Sequence, residues 1–458
     1  MKNMISQGYF MSFLRYFLHY PTHKKLFYLA LPIIFSNISI PLLSLVDTAV
    51  VGHLGEPAYI GSVAVGALII NSIMWLFGFL RMSITALIAQ ANGENNEKKQ
   101  CNILLQGILL ATIISIIILL LHQTVFNITL YFMQASNDII THTKTYYYFR
   151  LFALPAMLIN IVFLGFFLGN QQSAVVMYLM LFANLLNLIL DLIFVYYFNY
   201  DVDGVALASS ISDYVSLAIN LYLLYSKYPY LIRFIKNKQY QLLSHLSSFM
   251  QLNINILLRT LCLQVVFWFI TIQSVQMGEI IIAANTILLN FTLFFSYALD
   301  GIAYFAETEA GRTKGANSLQ EFDQSIIISC FWSIIFTIIT VILLYYFDNI
   351  LINTMTNLDD VITVVQKYWY IIILFPFFSV LAYLFDGVYI GLTKGSSLRN
   401  LMCLSTILFI IIYYTLSYFI VKETALWLSF IAFVGLRSIL MSIHCYITRK
   451  NGHIFIAN

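Results

Sequence analysis

A single carboxylate, Asp47, lies near the end of an almost uninterrupted apolar stretch at residues 26–55. A helix rises about 1.5 Å per residue, so this stretch is long enough to cross a hydrocarbon core of roughly 30 Å. An Asp inside such a span costs about 2.5–3.5 kcal/mol on insertion scales, and such residues mark ion and substrate pathways. Asp47 is therefore predicted to be a protonatable group that faces a cavity. A carboxylate solvated at the membrane interface is the alternative.

The same span carries further polar residues on the face of Asp47. Asn37, Ser44 and Asp47 are separated by two helical turns and then by one, which places them on one side of a helix. Pro32 and Pro41 lie in this span, and each removes a backbone donor and favours a kink. The predicted element is a bendable helix whose polar face lines a cavity.

Three more polar stripes follow in the N-terminal half. At helical spacing they comprise Asn184, Asn187 and Asp191; Ser209, Asp213, Ser216 and Asn220; and Asn71, Gly78, Arg81 and Thr85. Together with the Asp47 stripe they are predicted to enclose a polar chamber. Each stripe taken alone is also typical of a helix–helix contact held by polar side chains.

The C-terminal half has its own charged residues within apolar spans. Arg259 and Asp300 are expected to form a buried ion pair that holds two helices together. Asp386 is compatible either with a structural role or with a second ion site. The other charged residues are expected at the membrane interface, in structural roles or at the cytoplasmic rim: Arg150, Arg437, Glu309 and Arg312.

The composition indicates a membrane environment for all of these residues. The chain has 458 residues, of which 61% are hydrophobic and 9% charged, whereas a soluble domain carries about 25% charged residues. An all-α polytopic membrane protein is therefore predicted. The net charge of +3, without a clustered basic patch, argues against binding to nucleic acid.

Twelve transmembrane helices are predicted, and the basic residues orient them. Lys and Arg concentrate in the termini and in the connections on one side, while the opposite side has only Lys144, Lys367 and Lys422. By the positive-inside rule, both termini are expected in the cytoplasm. The predicted spans are 26–54, 61–90, 101–125, 145–169, 174–198, 204–226, 248–275, 280–307, 324–347, 364–391, 399–421 and 424–447.

The two halves also resemble each other at a separation of about 220 residues. Parallel repeats of this kind are a transporter architecture whose substrate site lies near the midplane between the halves. The predicted domains are a cytoplasmic lead-in at 1–25, pseudo-symmetric six-helix bundles at 26–227 and 248–447, a cytoplasmic linker at 228–247 and a cytoplasmic tail at 448–458. The aligned pairs are Pro155 with Pro376, Gly165 with Gly387, Gly169 with Gly391, and Arg81 with Asp300.

Other classes of function have little support in the sequence. The five cysteines are scattered singly, so neither a disulfide framework nor a metal site is predicted. No metal-ligand cluster or nucleophile–His arrangement is recognisable, so neither an enzyme nor a bound cofactor is expected. A passive channel is also disfavoured, since two unequal, kinked halves suit a rocking motion better than a fixed pore.

The segments VDTAVVGHLG, VAVGALI and FLRMSITALIAQANG resemble the multidrug and toxic compound extrusion (MATE) family, and in particular its DinF-like branch. The likeness continues through NLLNLILDLIFV, DGVALAS, ALDGIAYFAE and LFDGVYIGLTKGSSLRN and covers nearly the whole chain. The resemblance implies two six-helix bundles that form a V around a central cleft. It also implies cation-coupled export of amphipathic, often cationic, organic compounds.

The resemblance further implies roles for individual residues. Asp47 matches the main coupling carboxylate of the family, and Asn187 and Asp191 match the family's Asn and Asp four residues apart in the fifth helix. The family's first helix bends near a proline that corresponds to Pro32. One branch of the family places a sodium site in the C-terminal lobe, but the seventh span here has Arg259 in place of an acidic residue, which argues against that site.

The expected function is a proton-coupled antiporter in which Asp47 and Asp191 titrate as a pair in an N-lobe chamber. Sodium, bound by Asp47, Asn187 and Asp191, is the alternative coupling ion. A flippase for lipid-linked oligosaccharides is a second alternative, although it would need a basic cluster and the cavity offers only Arg81 and Arg259. The residues expected to line the substrate cavity are Asn184, Ser44, Asp213, Arg81 and Asn37, with Pro32 and Pro41 as hinge.

The expected partners are small organic substrates and the lipid bilayer, without nucleic acid. The chain is expected to act as a monomer in the bacterial inner membrane. Protons or sodium ions are the only accessory species that this scheme requires.

Overall fold

The structure is a computed structural model. It describes the backbone of residues 17–52, 57–133, 137–198 and 200–456, and their side chains except at 40–52, 57–60, 130–133 and 137–139. Across these residues the chain is helical and contains no strand. The prediction of an all-α polytopic membrane protein is confirmed.

Long helices follow one another through short connections, and a five-residue π-helical turn, Ile193–Tyr197, extends α6. The helices are α1 (Tyr20–Gly52), α2 (Pro57–Leu76), α3 (Phe79–Gly93), α4 (Glu97–Met133), α5 (Asn137–Gly169), α6 (Ser173–Leu192), α7 (Val202–Lys227), α8 (Pro229–Lys236), α9 (Leu246–Met277), α10 (Glu279–Gly315), α11 (Leu319–Tyr346), α12 (Asp348–Met355), α13 (Asp359–Gly391), α14 (Gly395–Phe419) and α15 (Lys422–Lys450).

Eleven helical segments of the described residues are long and apolar enough to cross a membrane. They correspond one by one to the second to twelfth predicted spans, with α2 and α3 together forming the second. The first predicted span coincides with α1, whose backbone is helical through both Pro32 and Pro41.

The internal repeat is visible in the helix boundaries. The first residues of α2 and α10 are 57 and 279, those of α4 and α11 are 97 and 319, and those of α6 and α14 are 173 and 395. Each pair differs by 222 positions. The last residues of α5 and α13, Gly169 and Gly391, keep the same interval. The two halves therefore share the positions of these helix ends, although α2 and α3 together correspond to the single α10, and α4 corresponds to α11 and α12 together.

Close helix contacts at glycines fix the register of the repeat. A Cβ on Gly165 would lie 2.8 Å from the carbonyl oxygen of Arg81, and a Cβ on Gly387 would meet the carbonyl of Ala303. These contacts pair Arg81 with Ala303 at the same 222-residue interval. The predicted alignment of Arg81 with Asp300 is wrong, because uniformly apolar helices can be aligned in several registers.

The chain divides into two compact units. Phe35–Phe249 forms the first, here called the N-terminal unit; the residues from Met250 onwards, with the described residues up to Ile34, form the C-terminal unit. Helix α1 is thus shared between the units, and the division falls two residues after Pro32. The sequence prediction assigned all of residues 26–54 to the N-terminal bundle.

Each unit is built around one long helix that contains a proline. In the N-terminal unit α5, with Pro155, packs against α2, α3, α4 and α7; in the C-terminal unit α13, with Pro376, packs against α10, α11 and α15. The most apolar windows of α5 and α13 are both 67% buried, more than in any other described span. These two helices therefore form the centres of their units, and polar residues facing them are in protein interior.

Candidate functional site

Asp191 is the last residue of the polar stripe on α6. Its side chain is fully buried, and Asn187, one turn earlier on the same face, is 3% exposed. The Nδ2 of Asn187 donates to the Oγ of Ser209 on α7 at 3.1 Å. The Oδ1 of Asn187 is buried and accepts no hydrogen bond from the described part of the chain. The stripe thus presents a carboxylate and an open amide oxygen one turn apart.

The backbone of this helix changes immediately after Asp191. The α-helical pattern ends at Leu192 and the π-helical turn Ile193–Tyr197 follows. Single π-helical turns within helices are rare and occur frequently at functional sites. The sequence did not predict this turn, because no proline or glycine marks it.

Helix α1 joins this cluster through a hydrogen bond to α6. The Nδ2 of Asn184 donates to the Oγ of Ser39 at 2.8 Å, and Ser39 donates in turn to the carbonyl of Ser36 at 2.6 Å. Asn37, predicted for the cavity, is 8% exposed on the same segment of α1. Two of the four spans predicted to enclose the chamber are therefore in direct contact. Asp47 lies two turns beyond Ser39 on α1.

Three of the predicted residues of α1 are described by their backbone alone. Pro41, Ser44 and Asp47 belong to the helix, and their side chains lie outside the described residues. Their roles as hinge, cavity lining and coupling group stay predictions.

The stripe on α7 faces α5 instead of forming an open surface. Arg150 donates through Nη1 to the Oδ2 of Asp213 at 2.7 Å, and Asn160 donates to the carbonyl of Asp213 at 2.9 Å. Asn220 donates to the Oδ1 of Asn160 at 2.9 Å. Asp213 is thus engaged in a link between α7 and α5. The helix–helix interpretation accounts for Asp213 and Asn220 of this stripe, whereas Ser209 accepts from Asn187 on α6. Arg150 has the structural role that was one of its two expected roles.

Arg81 lies at the contact between α3 and α5. Its side chain is half-buried, its carbonyl accepts the hydroxyl of Thr85 at 2.8 Å, and the same carbonyl lies against Gly165. The close approach of the two backbones determines the position of this arginine within the N-terminal unit.

Three charged residues meet inside the C-terminal unit. Arg259 on α9, Asp386 on α13 and Arg437 on α15 are 7%, 5% and 2% exposed. Both arginines donate through Nη2 to the Oδ2 of Asp386. The predicted pairing of Arg259 with Asp300 is wrong, because helical spacing alone cannot tell which of several neighbouring helices faces a given residue.

This cluster has the character of a helix crosslink. Both guanidinium groups bind Oδ2, so a cation that approached Oδ1 would meet a carboxylate whose charge two buried arginines already compensate and would be repelled by both of them. The guanidinium carbon of Arg437 also lies 5.6 Å from the ring centroid of Tyr383, within the range of a cation–π contact. The hydroxyl of Tyr383 accepts a 2.6 Å hydrogen bond from Ser296 on α10. The structural alternative for Asp386 therefore fits its contacts.

A second ionic cluster ties the beginning of α1 to α10 and α11. Glu309 is 2% exposed, and it binds the Nζ of Lys25 at 2.7 Å and the Nη2 of Arg312 at 2.9 Å. Arg312 also reaches Glu321 at 2.5 Å. A polar cavity of about 430 Å³ adjoins these residues. Because Lys25 lies in the second turn of α1, directly before the first predicted span, this cluster anchors the first turns of that helix.

Aromatic contacts reinforce this anchor. The Nε1 of Trp332 on α11 donates to the Nδ1 of His23 at 2.9 Å, and Phe27 packs edge-on against Trp332 at 4.5 Å between ring centroids. The sequence placed Glu309 and Arg312 at the rim, but it gave no signal that Lys25 would be their partner.

A known protein family matches both repeated halves of the chain. The MatE family model matches residues 32–193 and 255–415, one segment in each half of the chain. The chain belongs to the MatE family. The family model spans most of α1 to α6 and of α9 to α14, which are the repeated helices.

Relatives of this MatE protein extend over nearly its full length. DNA damage-inducible protein F of Escherichia coli is 34% identical over 436 residues, which cover 95% of this chain and 94% of that protein. The probable multidrug resistance protein NorM of Photorhabdus laumondii is 27% identical over 368 residues, or 78% of this chain and 79% of the relative. The predicted resemblance to the DinF-like branch is confirmed.

Solved structures share the fold. A MOP superfamily transporter from Pyrococcus furiosus superposes with a TM-score of 0.83 at 16% identity, covering 94% of this chain and 96% of the other. The Vibrio cholerae MATE transporter VcmN superposes with a TM-score of 0.82 at 20% identity, covering 95% and 99%. The predicted MATE-like fold class is confirmed by these matches.

Proposed function

We propose that this MATE family protein is a proton-coupled multidrug antiporter that exports amphipathic, often cationic, organic compounds by alternating access. Asp191 and Asp47 are its coupling groups, and Asn187 assists them. The proposal is carried by one observation: Asp191 is fully buried beside the open amide oxygen of Asn187, on a helix that is hydrogen-bonded to α1. The names of the relatives, which include a probable multidrug resistance protein, support the substrate class.

Competition between proton and substrate follows from the burial of Asp191. A carboxylate removed from water carries a high cost for its charge unless a cation or a proton neutralises it. A cationic substrate and a proton are two ways to meet the same requirement, so each displaces the other. Each unit of pH gradient supplies about 1.4 kcal/mol per proton, and the membrane potential adds about 2.3 kcal/mol per charge per 100 mV.

The hinge in this scheme is Pro32. It has no backbone N–H, so the carbonyl four residues earlier lacks its helical donor. Lys25 is held by Glu309 at 2.7 Å, while Ser39 is held by Asn184 at 2.8 Å. Pro32 lies between these two attachments, so a bend there would turn the segment with Ser39 and Asp47 relative to the first turns of α1 without breaking either attachment.

The direct test uses Asp191→Asn and Asp47→Asn in proteoliposomes with an imposed proton gradient. Both variants should fold and bind a cationic dye but lose gradient-driven dye export. Asp360→Asn, an exposed carboxylate at the start of α13, is the matched control and should transport normally. Undiminished proton-driven export by Asp191→Asn, in protein that elutes as a single folded species, would refute its role.

Sodium is the second candidate coupling ion, and the buried Oδ1 of Asn187 favours it. This amide oxygen and the carboxylate of Asp191 are the hard oxygen ligands that small cations bind. An imposed sodium gradient at constant pH distinguishes the two ions, because it drives export only if sodium is coupled. A lipid-linked oligosaccharide flippase fits less well, since it needs a basic cluster and Arg259, one of the two basic candidates of the predicted cavity, is engaged by Asp386.

We further propose the bacterial inner membrane as the location, with both termini in the cytoplasm and the monomer as the working unit. The distribution of basic residues supports the orientation. Labelling of cysteines introduced singly near each end of the chain, in intact cells and in inverted vesicles, tests it. Labelling of either terminus in intact cells by an impermeant reagent would contradict the orientation.

A further inference from the structure

Two cysteines that are 141 positions apart in sequence meet in the C-terminal unit. The Sγ atoms of Cys262 on α9 and Cys403 on α14 lie 3.3 Å apart, and both residues are half-buried, free thiols. The sequence contains five cysteines, but no pair among them was predicted, because spacing along the chain does not show which helices are neighbours. The contact therefore identifies a dithiol that the antiport mechanism does not use.

The distance between the two sulfurs is maintained by the packing of α9 against α14. Phe269 packs edge-on against Phe409 with ring centroids 5.4 Å apart, and the hydroxyl of Tyr413 donates to the Oε1 of Gln273 at 2.7 Å. A disulfide has an S–S distance of about 2.05 Å, so closure requires the sulfurs to approach by about 1.2 Å. The side chains of the two helices are already in contact around the pair, so the sulfurs start this approach as direct neighbours.

The surroundings of the pair are apolar and face outward. On α9, Leu258, Leu261 and Val265 are exposed, and on α14 Leu404 and Ile407 are exposed. Exposed apolar side chains on a membrane span give the pair surroundings of low polarity. Both cysteines lie within the apolar spans, 16 residues into α9 and 8 residues into α14. A reagent dissolved in the lipid phase therefore has a shorter path to the sulfurs than an ionic reagent in water.

We propose that Cys262 and Cys403 form an oxidative modification site that reacts with organic hydroperoxides of the lipid phase. One thiol attacks the peroxide oxygen, the O–O bond breaks, and the products are a sulfenic acid and an alcohol, which takes the thiol proton. The second thiol then displaces the sulfenic oxygen as water and the S–S bond forms. In sum, two thiols are oxidised, one hydroperoxide is reduced, and α9 becomes covalently linked to α14.

The test uses the full chain in proteoliposomes exposed to cumene hydroperoxide, a lipid-soluble organic hydroperoxide. The expected product has an intact mass lower by about 2 Da, the loss of two hydrogens, and loses two of its five alkylatable cysteines. Non-reducing peptide mapping should join the peptides that contain Cys262 and Cys403. Dithiothreitol should restore both thiols.

Matched variants assign the link to this pair. Cys262→Ser and Cys403→Ser should each abolish it, whereas Cys330→Ser, a half-buried cysteine on α11, should cross-link like the unmodified chain. The proposal is overturned if the unmodified chain acquires sulfinic or sulfonic acids without the joined peptides, or if the cross-link persists in Cys262→Ser. The first of these results needs no variant, so poor folding of a variant cannot rescue the proposal.

Discussion

Asn184 on α6 donates a 2.8 Å hydrogen bond to the Oγ of Ser39 on α1. This bond connects the helix that carries Asp191 to the helix that carries Asp47. The hydroxyl of Ser39 also donates a hydrogen bond to the carbonyl of Ser36, one turn earlier on α1, and this bond restricts the rotamer of Ser39. The bond therefore defines how the two helices with the proposed coupling carboxylates meet.

A double-mutant cycle on this pair gives the first prediction. Asn184→Ala and Ser39→Ala should each lower the thermal stability of the protein, and the double variant should lose less than the sum. Polar contacts between membrane helices measured in this way average about 0.6 kcal/mol and reach about 1.7 kcal/mol. The cycle is measured by thermal unfolding in detergent. Strict additivity would mean that the two side chains contribute independently, and the proposed link between α1 and α6 would fail.

The Arg259–Asp386–Arg437 cluster gives the second prediction. Asp386→Asn removes the one carboxylate that both guanidinium groups share, which leaves two buried positive charges without their counter-ion. Breaking a buried ion pair from one side costs about 3–5 kcal/mol, so the variant should be strongly destabilised. Thermal unfolding of detergent-solubilised protein measures the loss.

The control for Asp386→Asn is Asp360→Asn, whose carboxylate is exposed on the same helix. It should leave the unfolding temperature unchanged. Sodium should not stabilise the unmodified protein through Asp386, since the two arginines on its Oδ2 compensate the charge of the carboxylate and repel a cation. A stabilisation by sodium that disappears in Asp386→Asn would contradict the structural role.

Much of this arrangement was predictable from sequence, and the reasons for the misses are physical. Long apolar runs fix the number of spans, because the thickness of a bilayer sets their length. Spacing at three and four also placed Asn187 and Asp191 on one face of α6 correctly. These inferences concern one helix at a time.

The sequence predicted poorly which residues of different helices contact each other. Arg259 was assigned to Asp300, whereas it binds Asp386, and Lys25 was not recognised as the partner of Glu309. Nearly uniform apolar faces give few constraints on which sides of two helices meet. The same weakness displaced the alignment of Arg81 in the repeat, and it concealed the contact between two cysteines on α9 and α14.

Close backbone contacts at the repeated glycines give the third prediction. A Cβ on Gly165 would lie 2.8 Å from the carbonyl oxygen of Arg81, and one on Gly169 would lie 2.7 Å from that of Thr85. A carbonyl in a packed helix cannot move aside as a flexible side chain can. Gly165→Ala and Gly169→Ala should therefore each destabilise the protein by about 1–3 kcal/mol, the usual cost of overpacking.

Gly435→Ala is the control for this pair, because a Cβ there would meet the ring of Phe378 at 3.1 Å and not a carbonyl. Its effect on thermal unfolding should be smaller than that of either substitution on α5. Equal losses at all three positions would show that the loss of glycine itself, and not backbone crowding, is responsible.

The connection between α13 and α14 gives the fourth prediction, which concerns pH. Lys394 is 2% exposed, and its Nζ donates to the carbonyl of His453 in the C-terminal segment at 2.9 Å. Burial lowers the pKa of Lys394 below its ordinary value of 10.5. Between the folded and the unfolded pKa the unfolded chain therefore binds more protons than the folded chain. The contribution of Lys394 to stability consequently rises with pH through that window.

Lys394→Met keeps much of the side-chain volume but removes the charge, so it isolates this effect. The stability of the unmodified protein relative to Lys394→Met should increase as the pH is raised towards 10.5 and should level off below the folded pKa. Parallel thermal unfolding series on the two proteins measure the difference and cancel the titration of all other groups. A difference that is constant with pH, or that shrinks as the pH rises, would show that the folded protein does not disfavour the charged lysine. The hydrogen bond to His453 would then outweigh the cost of burial.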